Sequence, residues 1–156
     1  MTPNMTITNV RLQKIDDLVA EHIMGWRWVH FVNATKYPGT TCDGFDSITL
    51  QSPTWCERTI DGKQWEYATK SQMKLPVTGR GGCPAYSSEE GQIFSIVAAM
   101  RKRGFLFAIG DLKCGTWVAR FKKPGVDLVR GKEVEEEFAP LAVCVAALAA
   151  LDVSIP

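Results

Sequence analysis

The chain has 156 residues, of which 46% are hydrophobic and 22% are charged, a composition typical of a soluble globular protein. This length fits one domain and is sufficient to bury a sizeable core. The formal net charge of +1 excludes broad nucleic-acid or membrane attraction through a global field. Any anion site therefore has to come from local clustering of basic residues.

Targeting and membrane segments are not indicated. The opening residues, MTPNMTITNV, lack the basic and then apolar order of a secretory signal. The longest uncharged apolar run, Phe138–Leu151, is shorter than the roughly 20 residues that a membrane-spanning helix needs. We therefore expect a cytoplasmic protein without a membrane span.

The cysteine count is odd, which favours reduced thiols in a cytoplasm. The five residues are Cys42, Cys56, Cys83, Cys114 and Cys144. The first three leave open a disulfide or a shared metal ion, although no C-x-x-C spacing supports a zinc site. Cys144 is predicted to be a small core residue.

The first helix is predicted over Val10–Met24, because apolar residues recur there at helical spacing. Asn9 is the expected N-cap, and Gly25 suits the helix end. Asp16 and Asp17 are expected on the exposed surface of this helix.

A strand and an inserted region follow. Residues 26–32, WRWVHFV, are rich in aromatic and β-branched side chains and predict a strand. Residues 33–83 are rich in Gly, Pro, Thr, Ser and Asp, and they form a predicted insertion. Within it, TWCERTIDGKQWEYAT predicts a β-hairpin, since Asp61-Gly62 suits a type I′ turn. The rest of the insertion is predicted to be irregular, and long loops often carry function.

A glycine-rich segment, TGRGGCP, precedes the second predicted helix. It lacks the spacing of a phosphate-binding loop, and acidic residues follow it. We interpret it as a surface loop, with Arg80 able to help hold an anion at its edge. Ser87 and Glu90 match the capping box, which predicts a helix from about Ser88 to Gly104.

The C-terminal third predicts two strands and a helix. FLFAI and GTWVARF form the predicted strand pair. The acidic run Glu133–Glu137 is interpreted as solvated charge ahead of a helix that begins near Pro140. That helix, APLAVCVAALAALDV, is apolar almost all round. It is either the most buried helix or has one half facing a partner subunit.

Catalytic and metal motifs are sparse. The only histidines are His22 and His30, and neither a G-x-S-x-G element nor an H-E-x-x-H motif occurs. The sequence therefore predicts no enzyme, no catalytic residue, no cofactor and no metal site. A small enzyme with Cys83 or Cys56 as nucleophile is the alternative that stays open.

Basic and aromatic residues suggest a binding site. Arginine and lysine can clamp a phosphate while tryptophan stacks on a base. The residues that we select for this role are Trp55, Arg58, Lys63, Trp65, Arg80, Arg101 and Arg103. Lys102, Lys122 and Lys123 add to the positive charge. The alternative is an ordinary charged surface, with Trp65 packed in the sheet.

Four segments resemble, in order, the phage ABA sandwich domain family of small bacteriophage proteins. They are IDDLVAEHIMGW, PAYSSEEGQIFSIVAAM, GTWVARF and APLAVCVAALAAL, which together cover about half of the chain. The last is the most specific, and residues 33–83 fall outside the match. The resemblance implies a helix–sheet–helix sandwich and a phage or prophage origin, but it implies no catalytic residues.

These observations lead to one expectation for fold and several for function. We expect a single α+β domain over residues 1–156, an α/β/α sandwich with an antiparallel sheet of about five strands and three helices. We expect a non-enzymatic phage protein in the host bacterial cytoplasm that sequesters a small anionic, nucleotide-type immune signal, with a homodimer through residues 139–151 as one arrangement. The alternative is a protein–protein inhibitor of a host defence complex such as a CRISPR effector.

Overall fold

A computed structural model describes residues 3–31, 48–62, 65–74, 77–79, 82–125 and 133–156. The chain divides into two compact units. We call Met1–Met24 with Pro84–Pro156 the terminal unit, and Gly25–Cys83 the central unit. The central unit takes in the predicted insertion 33–83 and, in addition, the strand that precedes it.

The terminal unit holds three helices and a three-stranded antiparallel sheet in the order β5-β6-β7. Its helices are α1 (Pro3–His22), α3 (Ile93–Lys102) and α4 (Ala139–Ala150), and its strands are β5 (Leu106–Asp111), β6 (Trp117–Lys122) and β7 (Val134–Glu136).

Helix α4 occupies the core of this unit. Its residues from Pro140 to Leu148 are all buried, and the helix packs against α1, α3, β6 and β7. Burial on every side is what an apolar, alanine-rich helix requires, because the small side chains let neighbouring elements approach closely. The prediction of a most buried helix is confirmed. The alternative, half of the helix facing a partner, is not supported, since the terminal unit itself covers both halves.

Helix α1 differs from its prediction at its start and on one face. It extends from Pro3 to His22, so Asn9 lies inside the helix and is not its N-cap. Asp16 is only 6% exposed, and its Oδ1 accepts a hydrogen bond of 2.7 Å from the Ser87 backbone N–H. The expectation of an exposed Asp16 is therefore wrong, because a tertiary contact from residue 87 satisfies the carboxylate. Gly25 has the expected positive φ, 78°.

The capping box is also a wrong prediction. The Ser87 hydroxyl donates to the carbonyl of Leu12, 3.4 Å away, and so points to α1 instead of to its own helix. A short 3₁₀ turn spans Glu90–Gln92, and α3 begins at Ile93. Ser87 thus bonds to α1 and not to the helix that follows it. A local sequence pattern cannot show such a tertiary contact.

Sheet β5-β6-β7 confirms the predicted strand pair and adds a third strand. β5 and β6 pair from Leu106 opposite Lys122 to Asp111 opposite Trp117. In the acidic run, Glu133, Glu135 and Glu137 are exposed as predicted, but residues 134–136 form the unpredicted strand β7, with Val134 opposite the buried Ala119. Its glutamates did not prevent strand formation because Glu135 is exposed and Glu136 pairs with Arg11, at 2.9 Å.

The central unit holds a second sheet, in the order β3-β1-β2-β4. β1 (Arg27–Phe31) confirms the predicted strand and pairs antiparallel with β2 (Ile48–Gln51) and β3 (Trp65–Tyr67). The short β4 (Val77–Gly79) adds a parallel partner to β2. The fold is α+β as expected, but the strands lie in two sheets and not in one sheet of five, and α2 makes a fourth helix.

Helix α2 (Pro53–Arg58) replaces the first strand of the predicted hairpin. Ser52 caps it, since its Oγ accepts from the Trp55 backbone N–H at 3.1 Å, and Pro53 suits the first turn. The Thr59 hydroxyl closes the other end by donating to the Trp55 carbonyl, at 2.8 Å. Gly62 has a positive φ of 68°, but Asp61 is not among the described residues with a positive φ, so no type I′ turn forms.

No helix in the described part of the chain is long and apolar enough to cross a membrane.

The contact between Asp16 and Ser87 yields a stability prediction. Asp16→Ala leaves the buried N–H of Ser87 without this acceptor, so we expect a loss of about 1–3 kcal/mol in the free energy of unfolding. Urea denaturation followed by circular dichroism measures it. Lys14→Ala, an exposed position on the same helix, is the control. Equal stability of the two variants would contradict the role of Asp16.

Candidate functional site

The two tryptophans selected from the sequence belong to the core of the central unit. Trp65 is 4% exposed and Trp55 is half-buried. Their ring centroids lie 5.4 Å apart, and Phe31 meets Trp55 edge-on at 6.2 Å. The Trp65 indole N–H donates to the Thr59 hydroxyl at 2.9 Å. Trp65 therefore stabilises the sheet and presents no face to a base, which is the alternative that the sequence left open.

The basic residues of the central unit are only partly described. Arg58 is exposed at the end of α2. Lys63 and Arg80 lie outside the described residues. A cation–π contact that the sequence did not predict places Arg27 over the ring of Tyr67, with 4.0 Å between the guanidinium carbon and the ring centroid. Arg27 lies on β1 and Tyr67 lies on β3, so the contact becomes evident only once the register of these two strands is known.

Arg101 and Arg103 lie in the terminal unit. Arg101 is exposed. Arg103 donates from Nη2 to the carbonyls of His22 and Ile23, at 2.7 and 3.3 Å. It thereby satisfies carbonyls at the C-terminus of α1, where a cation is also favoured by the helix dipole. This structural role uses the Nη2 group of the guanidinium that the nucleotide hypothesis assigned to a phosphate.

The end of α3 is nevertheless basic. Lys122 lies opposite Leu106 in the β5-β6 register. The Nζ atom of Lys123 lies 5.1 Å from the ring centroid of Phe105, the residue directly before β5. Because Gly104 links α3 to this strand, the tertiary structure brings the basic end of α3 to the end of β6. We call Arg101, Lys102, Lys122 and Lys123 the basic edge.

The thiols give little support to a cysteine enzyme. Burial is the main cause that raises the pKa of Cys56, which disfavours the nucleophilic thiolate. Burial also raises the pKa of Cys144, and the charge of Asp16 adds to the effect. Cys83 is half-buried, and Cys42 lies outside the described residues. No disulfide joins the four cysteines that the structure describes.

Metal-binding clusters are not found in the described ranges: no group of three or more His, Cys, Asp or Glu side chains is arranged to hold an ion. His30 instead has polar neighbours within the central unit. Its Nδ1 lies 3.4 Å from the amide nitrogen of Gln72 and 3.9 Å from a carboxylate oxygen of Glu66. These neighbours fit a structural role for His30 within this unit.

A pocket of about 360 Å³ lies within the terminal unit. This volume falls at the small end of the roughly 300–1,000 Å³ typical of ligand sites. The walls are mostly apolar, with a few polar groups: Leu12, Ser87, Ser88, Glu90, Trp117, Phe138, Ala139 and Pro140. The sequence did not indicate it, because α1, the turn before α3, β6 and the start of α4 each contribute residues. We call it the Trp117 pocket.

Strand β5 is a second feature of interest, since it lies at the end of the sheet order. Among the described strands only β6 pairs with it. Five of its six residues are exposed, namely Leu106, Ala108, Ile109, Gly110 and Asp111. The following Leu112 is exposed as well. An apolar edge strand of this kind can pair with another polypeptide.

Comparison with known proteins identifies no relative: no family model, no curated protein and no solved structure matches the chain. The resemblance to the phage ABA sandwich domain family therefore stays a prediction.

Thiol accessibility gives a prediction that separates the cysteines. The pKa of Cys114 is lowered, chiefly by its hydrogen bond with the Thr116 hydroxyl and further by the Thr116 backbone N–H. Cys114 is also exposed, whereas Cys56 and Cys144 are buried. We expect iodoacetamide at pH 7.5 to alkylate Cys114 before either buried thiol, because the thiolate is the reactive form. Peptide mapping by mass spectrometry at timed intervals measures this order, and equally fast labelling of Cys144 in the native protein would contradict it.

Proposed function

We propose that this protein is a non-enzymatic binding protein that recognises another polypeptide by adding a strand of it to the edge of β5. The observation that carries the proposal is the combination, along this one strand, of backbone groups that no described strand pairs with and exposed apolar side chains. Strand addition uses main-chain hydrogen bonds for affinity and alternate side chains for specificity.

The hydrogen-bond pattern shows which backbone groups face outward. The Leu112 N–H donates to the Thr116 carbonyl at 2.8 Å, and the β5-β6 register continues without a shift. Hydrogen-bonded pairs alternate in an antiparallel ladder, so the even-numbered residues of β5 bond to β6. The N–H and C=O groups of Phe107, Ile109 and Asp111 therefore point away from β6.

Apolar side chains accompany these groups. Leu106 is 46%, Ile109 40% and Leu112 41% exposed. Edge strands that remain unpaired are usually protected by lysine, proline or a short length. β5 has six residues and contains neither lysine nor proline. The opposite edge of the sheet, β7, has only three residues, and two of them are glutamates. β7 therefore has the short length and the charges of a protected edge strand, whereas β5 lacks the usual protection.

The sequence resemblance supplies the biological setting of this proposal. A phage protein that acts on another polypeptide in the host bacterial cytoplasm fits the inhibitor alternative, with a host defence protein as the partner. The helix–sheet–helix sandwich of the phage ABA family belongs to the same proposal. The exposed edge supports polypeptide binding, while the phage setting rests on the resemblance alone.

Replacement of one outward-facing residue tests the proposal. Ile109→Pro removes an outward N–H without removing a ladder bond to β6, so the sheet is expected to persist. Ile109→Ala loses the side chain but keeps the N–H and is the matched control. Proteins captured from infected cells are identified by mass spectrometry, purified and titrated against each variant by calorimetry. We expect Ile109→Pro to weaken binding roughly tenfold relative to Ile109→Ala.

Circular dichroism shows whether each variant keeps the native fold. Equal affinity of a folded Ile109→Pro variant and the Ile109→Ala control would overturn strand addition at β5.

Sequestration of a nucleotide-type signal is a second candidate, favoured by the basic edge. This edge gathers four cations at the end of α3 and β6, where a phosphate can be held by charge-assisted hydrogen bonds. The C-terminus of α3 opposes an anion at the same place, since its carbonyls carry a partial negative charge. Because the negative end of α3 disfavours a phosphate at the basic edge, polypeptide binding is the first candidate.

A thermal shift assay tests the second candidate with cyclic dinucleotides and ADP-ribose derivatives as probes. A ligand at 100 times its Kd stabilises the native state by about 2.7 kcal/mol. We expect a rise in Tm that is lost in Arg101→Ala but kept in Lys113→Ala, an exposed cation at the other end of β5 and β6. The absence of any shift with these probes, or its persistence in Arg101→Ala, would exclude the candidate.

A further inference from the structure

We propose that the Trp117 pocket binds the side chain of an arginine presented by the partner polypeptide. This inference rests on the proposed function, because it names the chemistry of the segment that adds to β5. It draws on the shape of the pocket, on the charges at its mouth and on the position of Trp117 in the sheet.

The apolar walls suit the stem of a long side chain. Trp117, Phe138 and Pro140 line the pocket with Leu12, and the Phe138 side chain is 56% exposed. Burying this aromatic ring against the methylene groups of an arginine removes apolar surface from water. The planar guanidinium can in addition stack on an indole face, an attraction that favours tryptophan among the aromatic side chains.

The polar groups of the pocket suit a cationic head group. Glu90 lines the pocket and is exposed, and its carboxylate makes no hydrogen bond or ion pair with another described residue. Ser87 is 1% exposed. Its hydroxyl proton goes to the Leu12 carbonyl, which leaves the oxygen as an acceptor. An arginine carries five N–H donors in a fixed fork and so matches a carboxylate beside hydroxyl oxygens.

The charges around the mouth favour a cation over an anion. Glu89 and Glu137 are exposed, and each directly adjoins a residue of the pocket lining in the sequence. Asp111 lies opposite Trp117 in the β5-β6 register. Arg11 is engaged with Glu136, so it neutralises a carboxylate instead of adding free positive charge. The N-terminus of α4 contributes the equivalent of about half a positive charge, which is less than the formal charge of Glu90 alone.

The register connects the pocket to the edge of β5. Asp111 is the last outward-facing residue of β5 and is paired with Trp117. An added strand lies about 4.8 Å beyond β5, so a residue opposite Asp111 is two strand spacings from Trp117. The side chain of a residue opposite Asp111 lies on the same face of the sheet as Trp117, and an extended arginine there points across β5 towards the pocket. A single extended segment can therefore bond to β5 and place an arginine in the pocket.

Two probes of equal shape test the inference with the complete protein. Acetyl-arginine-methylamide carries the guanidinium, whereas acetyl-citrulline-methylamide replaces it with a neutral urea. Titrations are followed by ¹H–¹⁵N NMR, and the indole signal of Trp117 is assigned with a Trp117→Phe variant. We expect the arginine probe to shift this signal and to bind about tenfold more tightly than the citrulline probe, since charge-assisted bonds are the stronger ones.

Glu90→Gln removes the charge while keeping the shape. We expect this variant to bind the arginine probe about tenfold more weakly. Glu57 is an exposed carboxylate of the central unit, and we expect Glu57→Gln to leave the affinity for the probe unchanged. Equal affinities for the two probes, an unaffected Glu90→Gln variant or no shift at Trp117 would each overturn the arginine site.

The inference and the proposed function fail separately. Ile109→Pro is expected to leave the affinity of the arginine probe unchanged, because Ile109 does not line the pocket. Loss of partner binding in Ile109→Pro together with no arginine binding refutes the pocket and keeps strand addition. Arginine binding at Trp117 together with full partner binding by Ile109→Pro refutes strand addition at β5.

Discussion

The burial of α4 is the constraint on which the terminal unit depends. From Pro140 to Leu148 every residue of this helix is buried, so each neighbouring element has to present an apolar face to it. Each fully buried Val or Leu side chain contributes about 1.5–3 kcal/mol. α1, α3 and the sheet surround the helix, and their apolar faces are buried against it. The apolar residues that stay exposed afterwards, among them Leu106 and Ile109 of β5, are then open to another molecule.

The candidate surfaces arise where this packing ends. β6 lies against α4 with Ala119 and Phe121 buried. In β5, one strand further out, five of the six residues are exposed. The Trp117 pocket forms where the start of α4 meets β6 and the turn that carries Ser87 and Glu90. Both features belong to one unit and lie near one another across the Asp111–Trp117 pair, which is why one extended segment can engage both.

The central unit shows a different balance between core and site. Its aromatic residues were the strongest sequence argument for a stacking site, yet Trp65 and Trp55 pack against each other and against Phe31. A small four-stranded sheet has few apolar residues with which to build a core, so it packs Trp65, Trp55 and Phe31 together there. The described residues that this unit presents to solvent include Arg58 and the Arg27–Tyr67 pair.

The sequence by itself determined the elements whose residues carry a strong local signal: α1, β1, the β5-β6 pair and the buried α4. It failed where contacts distant along the chain outweighed the local pattern. Ser87 and Glu90 match a capping box, but Ser87 contacts Leu12 and Asp16. Only the tertiary structure decided the division of the strands into two sheets, the open edge of β5 and the pocket, because sheet order and cavities depend on which distant segments meet. Periodicity reports the face that an element buries and not the partner against which it is buried.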